Sequence, residues 1–157
     1  MPCTKEITNS DDIIDSRDVI ARIAALEDER QALVDAIDEV ENSERPPNAD
    51  ENSEHADKLA DAQAALSEWD DDDEAKELAA LKALAEDAEG YAPDWTYGAT
   101  LIRESYFVEY CRQLVSDIGD MPTEIPDYIV IDWDATADNL RADYTDCDYD
   151  GVTYLVR

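Results

Sequence analysis

The stretch VIARIAALEDERQALVDAIDEV, residues 19–40, decides the first half of the fold. Its apolar residues recur at alternating intervals of four and three positions, which places them along one stripe of an α-helix. A single charged residue, Arg30, interrupts this stripe. The spacing predicts one long helix that starts at Asp15 or Ser16, because either side chain can act as an N-cap. The stripe consists of Val19, Ile23, Leu26, Arg30, Leu33, Ile37 and Val40.

Two further apolar stripes follow this helix along the chain. The proline-containing segment NSERPPNADENS at 42–53 precedes them and predicts a loop. Five consecutive acids at 70–74 separate the two stripes, and we expect a break in the helix there. Residues 13–90 should therefore form an acidic, coiled-coil-like antiparallel helical hairpin, although the same stripes would also suit pairing between two chains in a homodimer. The stripes consist of Leu59, Ala62, Leu66 and Trp69, and of Leu78, Leu81, Ala85 and Ala88.

Residues 91–157 have a different composition, with more aromatic residues and prolines. Apolar residues at helical spacing between 107 and 118 predict a helix that Gly119 terminates. Asp132 is a candidate N-cap for a further helix. Alternation over 144–149, the turn signal Asp150-Gly151 and a returning strand at 152–156 predict a β-hairpin. The expected fold class is thus α+β, mainly α, with a flexible N-terminus at 1–12, the helical hairpin, and a small α+β module ending in a β-hairpin.

The charge of the chain restricts what it can bind. Its 157 residues include 42 Asp and Glu against 12 Lys and Arg, for a net charge of -30. This excludes direct binding of nucleic acid, which needs a basic surface, and an anionic membrane would repel the chain. No run of about 18 apolar residues and no secretory signal occurs, so we expect a soluble, cytoplasmic protein. Three widely spaced cysteines indicate reduced thiols rather than a disulfide framework.

The sequence offers little for catalysis or metal binding. Residues 146–151, DCDYDG, match the first half of an EF-hand loop, but Arg157 stands where the loop needs a bidentate Glu. We therefore interpret the segment as a tight turn with exposed acids. The only histidine, His55, has no partner that the sequence places beside it. We expect no enzyme, no metal site and no cofactor.

Three hypotheses account for the charge. The first is mimicry of DNA, in which exposed carboxylates replace phosphates and bind the basic site of a DNA-binding protein. The second is adaptation to high salt, which the ratio of 26 Asp to four Lys would suit. The third is an acidic scaffold or chaperone-type interaction protein. For the first, we expect the contact acids to be Asp70, Asp71, Asp72, Asp73, Glu74, Asp132, Asp134, Asp138, Asp143, Asp146, Asp148 and Asp150.

The last third of the chain carries a resemblance to a known family. An aromatic and acidic helix over 106–118 is followed by Gly119, a proline loop, the step Ile131-Asp132-Trp133, a short helix and the hairpin glycine Gly151. This order resembles the C-terminal part of ArdA-type antirestriction proteins, and still more closely a group of acidic phage and plasmid proteins. The resemblance implies an elongated, dimeric mimic of B-form DNA that occupies the DNA site of type I restriction-modification enzymes. The two α/β domains that precede this part in the family have no counterpart here, so a CRISPR-type effector or another DNA-binding defence protein is an equally open partner.

Overall fold

The computed structural model describes residues 4–43 and 47–157. It confirms a mainly helical α+β fold with one small antiparallel sheet of four strands. The elements are β1 (Ile13–Asp15), α1 (Ser16–Asn42), α2 (Ala49–Asp71), α3 (Asp73–Glu89), α4 (Trp95–Gly98), β2 (Thr100–Arg103), α5 (Phe107–Asp117), α6 (Trp133–Arg141), β3 (Thr145–Tyr149) and β4 (Val152–Val156), with a 3-10 turn (Glu104–Tyr106) before α5.

The chain divides into two compact units, and the division falls inside α1 and α3. We call Ala21–Lys82 the hairpin unit. We call Met1–Ile20 together with Ala83–Arg157 the sheet unit. This division differs from the predicted boundary at residue 90, because the first residues of α1 and the last residues of α3 pack with the sheet.

In the hairpin unit, α1 lies antiparallel to α2 and α3. The order of the cross-contacts shows this, because successive residues of α1 meet partners that are progressively earlier in the chain. Arg22 Nε lies 2.7 Å from Glu77 Oε1, Arg30 Nε lies 2.8 Å from Asp70 Oδ1, and His55 Nε2 lies 2.9 Å from the carbonyl oxygen of Val40. The seam that the heptad spacing predicts is therefore paired within one chain.

The seam of the hairpin unit is only partly enclosed. Leu26 is fully buried, whereas Leu33 and Ile37 of α1 and Leu59 and Leu66 of α2 remain half-buried. Two helices alone cover one side of each other's apolar stripe, and a complete core needs a further layer. Arg30, the charged interruption of the stripe, turns its guanidinium to Asp70.

In the sheet unit, the strand order is β1-β2-β4-β3, and every neighbouring pair is antiparallel. Helices α5 and α6 cover one face, where Phe107, Cys111 and Ala137 pack with Ile102 and Leu155 in a single cluster. Successive residues of a strand point to opposite faces. Because Tyr154, Leu155 and Val156 are all buried, both faces of β4 must be covered.

Residues 4–12 belong to the segment that is predicted to be flexible, and they contact the sheet, while residues 1–3 lie outside the described residues. Ile7 is buried, and its carbonyl oxygen accepts a hydrogen bond from the Tyr149 hydroxyl at 2.9 Å. The Tyr154 hydroxyl donates to the carbonyl oxygen of Asp11. When the ring of a tyrosine is buried, its hydroxyl needs a hydrogen-bond partner. Backbone carbonyls of this N-terminal segment are the partners of both tyrosines.

The predicted hairpin range 13–90 begins three residues before α1. Residues 13–15 form β1 and pair with β2, in the register Ile14 opposite Leu101. Helix α1 begins directly afterwards, and the Asp15 carboxylate accepts the Arg17 backbone N–H at 2.8 Å, as an N-cap does. The buried Ser16 hydroxyl instead donates to the Trp95 carbonyl oxygen at 2.6 Å and accepts the Ala99 N–H at 2.7 Å. These contacts fix the start of α1 against the segment that leads into β2.

Candidate functional site

The acid run, defined here as Asp70 to Glu74, lies at the predicted helix break. Helix α2 ends at Asp71 and α3 begins at Asp73, so Asp72 alone lies between them. The Asp72 carboxylate accepts the backbone N–H of Asp73 at 2.8 Å, and its own N–H donates to the carbonyl oxygen of Trp69. Acidic residues in the first turn of α3 are favoured by the helix dipole. The run is therefore a helix junction whose carboxylates are held on regular backbone.

Two carboxylates of the acid run are engaged by bases. Asp70 receives a two-pronged contact from Arg30, at 2.8 and 3.2 Å, and this hydrogen bonding raises the pKa of the Arg30 guanidinium. Asp73 lies 3.3 Å from Lys76, in a pair whose side chains are 92% and 73% exposed. Exposed pairs of this kind contribute little to stability, so Asp73 stays available to a partner.

We call the other predicted contact residues the C-terminal acids, and all of them belong to the sheet unit. Asp132 is the N-cap of α6, since its carboxylate accepts the Ala135 N–H at 3.0 Å. Asp134 lies in the first turn of α6 and Asp138 lies further along it, both exposed. The complete set is Asp132, Asp134, Asp138, Asp143, Asp146, Asp148 and Asp150.

The β3–β4 hairpin holds the last three of the C-terminal acids. Asp146 and Asp148 alternate with buried residues on the outer strand β3, so both point to the same face of the sheet. Asp146 pairs with Arg141 at 3.1 Å, and Asp148 accepts the Gly151 N–H at 3.2 Å. Asp150 and Gly151 have φ angles of 50° and 82°, the left-handed backbone that a tight hairpin turn requires. The predicted interpretation as a turn is confirmed.

The predicted contact acids are brought together only in part. The acid run belongs to the hairpin unit and the C-terminal acids belong to the sheet unit. Eleven of the twelve are exposed, and Glu74 is half-buried. That these twelve acids contact a DNA-binding partner stays a prediction.

A serine–histidine contact in the hairpin unit was not predicted from the sequence. Ser43 Oγ lies 3.0 Å from His55 Nε2, the spacing of a nucleophile and its base. However, the Ser43 hydroxyl donates to the Val40 carbonyl oxygen at 2.6 Å, and His55 Nε2 approaches the same oxygen at 2.9 Å. An imidazole nitrogen that donates to this carbonyl cannot also accept a proton from serine. The two side chains thus add to the hydrogen bonding of a carbonyl in the last turn of α1, which also accepts the Ser43 backbone N–H at 3.3 Å.

The sheet unit contains a small cavity of about 160 Å³ lined in part by Tyr110, Tyr144 and Arg157. Burial raises the pKa of Tyr144 to about 12, and Arg157 stacks on its ring at 5.6 Å from the centroid. Burial likewise raises the pKa of the Cys147 thiol to about 12, so this thiol is neutral and a poor nucleophile at neutral pH. Within the described residues, no group of three or more His, Cys, Asp or Glu is placed to hold a metal ion.

The sequence does not predict that one apolar segment, residues 128–130, is exposed. Tyr128, Ile129 and Val130 are 86%, 50% and 88% exposed. The sequence marks an apolar stretch here, but apolar residues are ordinarily expected inside a fold, and nothing in their order indicates that they face water.

Comparison of the chain with family models, curated proteins and solved structures finds no match. No helix in the described part of the chain combines the length and the apolar character that crossing a bilayer requires.

Proposed function

We propose that this protein is a DNA mimic with an anti-defence role, which occupies the DNA-binding site of a basic partner. The observation that carries the proposal is the excess of exposed carboxylates on regular helices and strands of both units. Twelve bases cannot neutralise 42 acids, so a charge of -30 remains for a partner or for counterions. A basic DNA-binding groove gains affinity by neutralising regularly spaced anions, whichever polymer carries them.

The charge density of α2 suits this role. Its 23 residues contain eight Asp and Glu and one Lys, and all eight carboxylates are on exposed residues. At about 1.5 Å per residue the helix is about 35 Å long, so one carboxylate occurs about every 4 Å along its axis. Phosphates follow one another about every 3.4 Å along one strand of B-DNA. A basic groove would therefore meet a similar linear density of negative charge on this helix.

The partner class follows from the resemblance of the last third of the chain to ArdA-type proteins. It comprises restriction-modification enzymes, with CRISPR-type effectors as the alternative, and the site of action would be the cytoplasm of the host cell. The protein itself binds no nucleic acid, because like charges repel it from phosphates.

Displacement of duplex DNA tests the proposal. A fluorescently labelled duplex is bound to a purified type I restriction-modification enzyme, and in parallel to a CRISPR effector, and its anisotropy is followed as this protein is added. We expect the protein to displace the duplex. Changing the acid run to Asn and Gln, together with the C-terminal acids to Asn, should weaken displacement at least about tenfold, since several charge contacts of about a kcal/mol or less each are lost together. Asn suits Asp132 and Asp150, because it also serves as an N-cap and tolerates left-handed backbone.

A control variant separates specific contacts from bulk charge. It neutralises five exposed acids of α1 and so matches the charge change of the acid run alone. The acid-run variant should lose more displacement than this control. Equal loss would mean that only net charge matters, and full displacement by the variant with both sets neutralised would refute mimicry. The control changes Asp28, Glu29, Asp35, Asp38 and Glu39.

The alternative is an acidic scaffold whose charge reflects adaptation to high salt. It is favoured by the presence of exposed acids on α1, α2, α3, α5, α6 and β3, rather than on one side chosen for a partner. A scaffold would hold its partner without competing with DNA. If this protein captures a partner and added duplex DNA does not reduce the amount captured, the result would support this alternative and contradict mimicry.

A further inference from the structure

The segment Tyr128 to Ile131 is apolar and largely exposed, and no strand of the described residues pairs with it. It lies between α5 and α6 in the sheet unit, outside the four-stranded sheet. Tyr128 and Val130 are 86% and 88% exposed, Ile129 is 50% exposed and Ile131 is half-buried. Exposed apolar surface of this kind commonly marks an interaction site.

The segment begins in a turn, not in a strand. The Ile129 N–H donates to the Pro126 carbonyl oxygen at 2.9 Å, and Tyr128 lies inside this turn. A partner would therefore contact the segment through its exposed side chains and not by strand pairing.

The charge around the segment selects its occupant. No Lys or Arg occurs between Arg112 and Arg141, while Asp127 and Asp132 border the segment directly. A second copy of the chain would bring a further charge of -30 and would be repelled. We propose that this segment binds a basic segment of a partner protein that also carries apolar residues.

This inference rests on the proposed function and sharpens it. Carboxylates alone would recognise any basic groove, and salt would weaken that recognition steeply. The segment adds an apolar contact, and salt does not screen such a contact. A DNA duplex bound to the same partner would not make this contact. Tyr128 and Val130 thereby make the partner choice depend on protein surface as well as on charge.

A pair of synthetic peptides tests the inference. One is a nine-residue peptide of alternating Lys and Val, and the other alternates Lys and Ser with the same charge. Both carry a fluorescent label, and their anisotropy is measured against the full chain. The Lys-Val peptide should bind at least about tenfold more tightly than the Lys-Ser peptide. The double variant Tyr128→Ser, Val130→Ser should abolish this preference while leaving Lys-Ser binding unchanged.

A matched control uses two exposed tyrosines elsewhere in the sheet unit. Tyr91 and Tyr97 are 57% and 81% exposed, and the double variant Tyr91→Ser, Tyr97→Ser should retain the preference for the Lys-Val peptide. Equal binding of the two peptides, or loss of the preference in the control, would overturn the inference. So would self-association of the chain that Tyr128→Ser, Val130→Ser abolishes, since the occupant would then be a second copy. The peptide result is measured separately from DNA displacement, so failure of this inference and failure of the proposed function are distinguishable.

Discussion

At the scale of single residues, Tyr154 connects the N-terminal segment to the centre of the sheet. The side chain is fully buried in β4, and its hydroxyl donates to the carbonyl oxygen of Asp11. Burial raises the pKa of Tyr154 to about 12, and nearby Arg103 opposes this shift only in part. An unfolded tyrosine has a pKa of about 10.

The raised pKa predicts a loss of stability in alkali. The folded state keeps its proton on Tyr154 while the unfolded chain loses it, so the contribution is complete below about pH 10 and disappears as the pH rises through about 12. Tyr144 has the same shift and acts in the same direction. We expect the free energy of unfolding of the parent protein to fall between these pH values. That of the Tyr154→Phe variant should fall less steeply. Urea unfolding at a series of pH values measures both, and parallel slopes for the two proteins would contradict the assignment.

At the scale of elements, two of the ion pairs that involve α3 differ in what they contribute. Arg22 and Glu77 form a two-pronged pair at 2.7 Å for each contact, with both side chains only 19% exposed. Asp73 and Lys76 are almost fully in solvent. Burial reduces screening, and a charged hydrogen-bond partner left alone there is costly.

Substitution of the two acids should separate these effects. Glu77→Gln should destabilise the protein by about 1–2 kcal/mol, because two short charged hydrogen bonds between Arg22 and Glu77 are weakened in a half-buried place. Asp73→Asn should change the free energy of unfolding by less than about 0.5 kcal/mol. Chemical denaturation of both variants beside the parent gives the comparison. Similar small effects for both would show that α1 and α3 are not held together by the Arg22–Glu77 pair.

The elements differ in how far the sequence predicts them. Helices with a sustained apolar stripe, a cap or a terminating glycine are predicted, as α1, α5 and α6 show, and the Asp150-Gly151 turn predicts the β3–β4 hairpin. Strands β1 and β2 are not predicted. They have three and four residues, and they pair across a separation of almost ninety positions that no local pattern contains, with Ile13 opposite Ile102.

The candidate contact acids show the same limit. Composition predicts that acids lie at the surface, and eleven of the twelve do. It does not predict which of them are already engaged. Asp70 meets Arg30 from 40 positions away, and Asp146 meets Arg141 at the end of α6, five positions earlier in the chain. The exposure of Tyr128 and Val130 is equally a property of the folded chain.

At the scale of the whole molecule, the net charge acts on stability and on binding with opposite signs. The hairpin unit has a net charge of -14 and the sheet unit has a net charge of -16, so like charges repel one another within both units. Salt shortens the range of that repulsion, from about 30 Å at 0.01 M to about 3 Å at 1 M. The same screening weakens attraction to a basic partner.

Raising NaCl from 0.01 to 1 M should therefore raise the Tm, on the order of 5–10 °C, because screening removes repulsion that the folded state concentrates. KCl at equal ionic strength should give the same curve, since screening does not depend on a particular cation. The electrostatic attraction between this protein and its partner should weaken over the same range of salt, and displacement of DNA should weaken with it. Thermal unfolding measures the rise in Tm, and anisotropy in the same buffers measures the loss of DNA displacement. A Tm that does not respond to salt would mean that the carboxylates are too far apart to repel, and they would then be too sparse to imitate the phosphates of DNA.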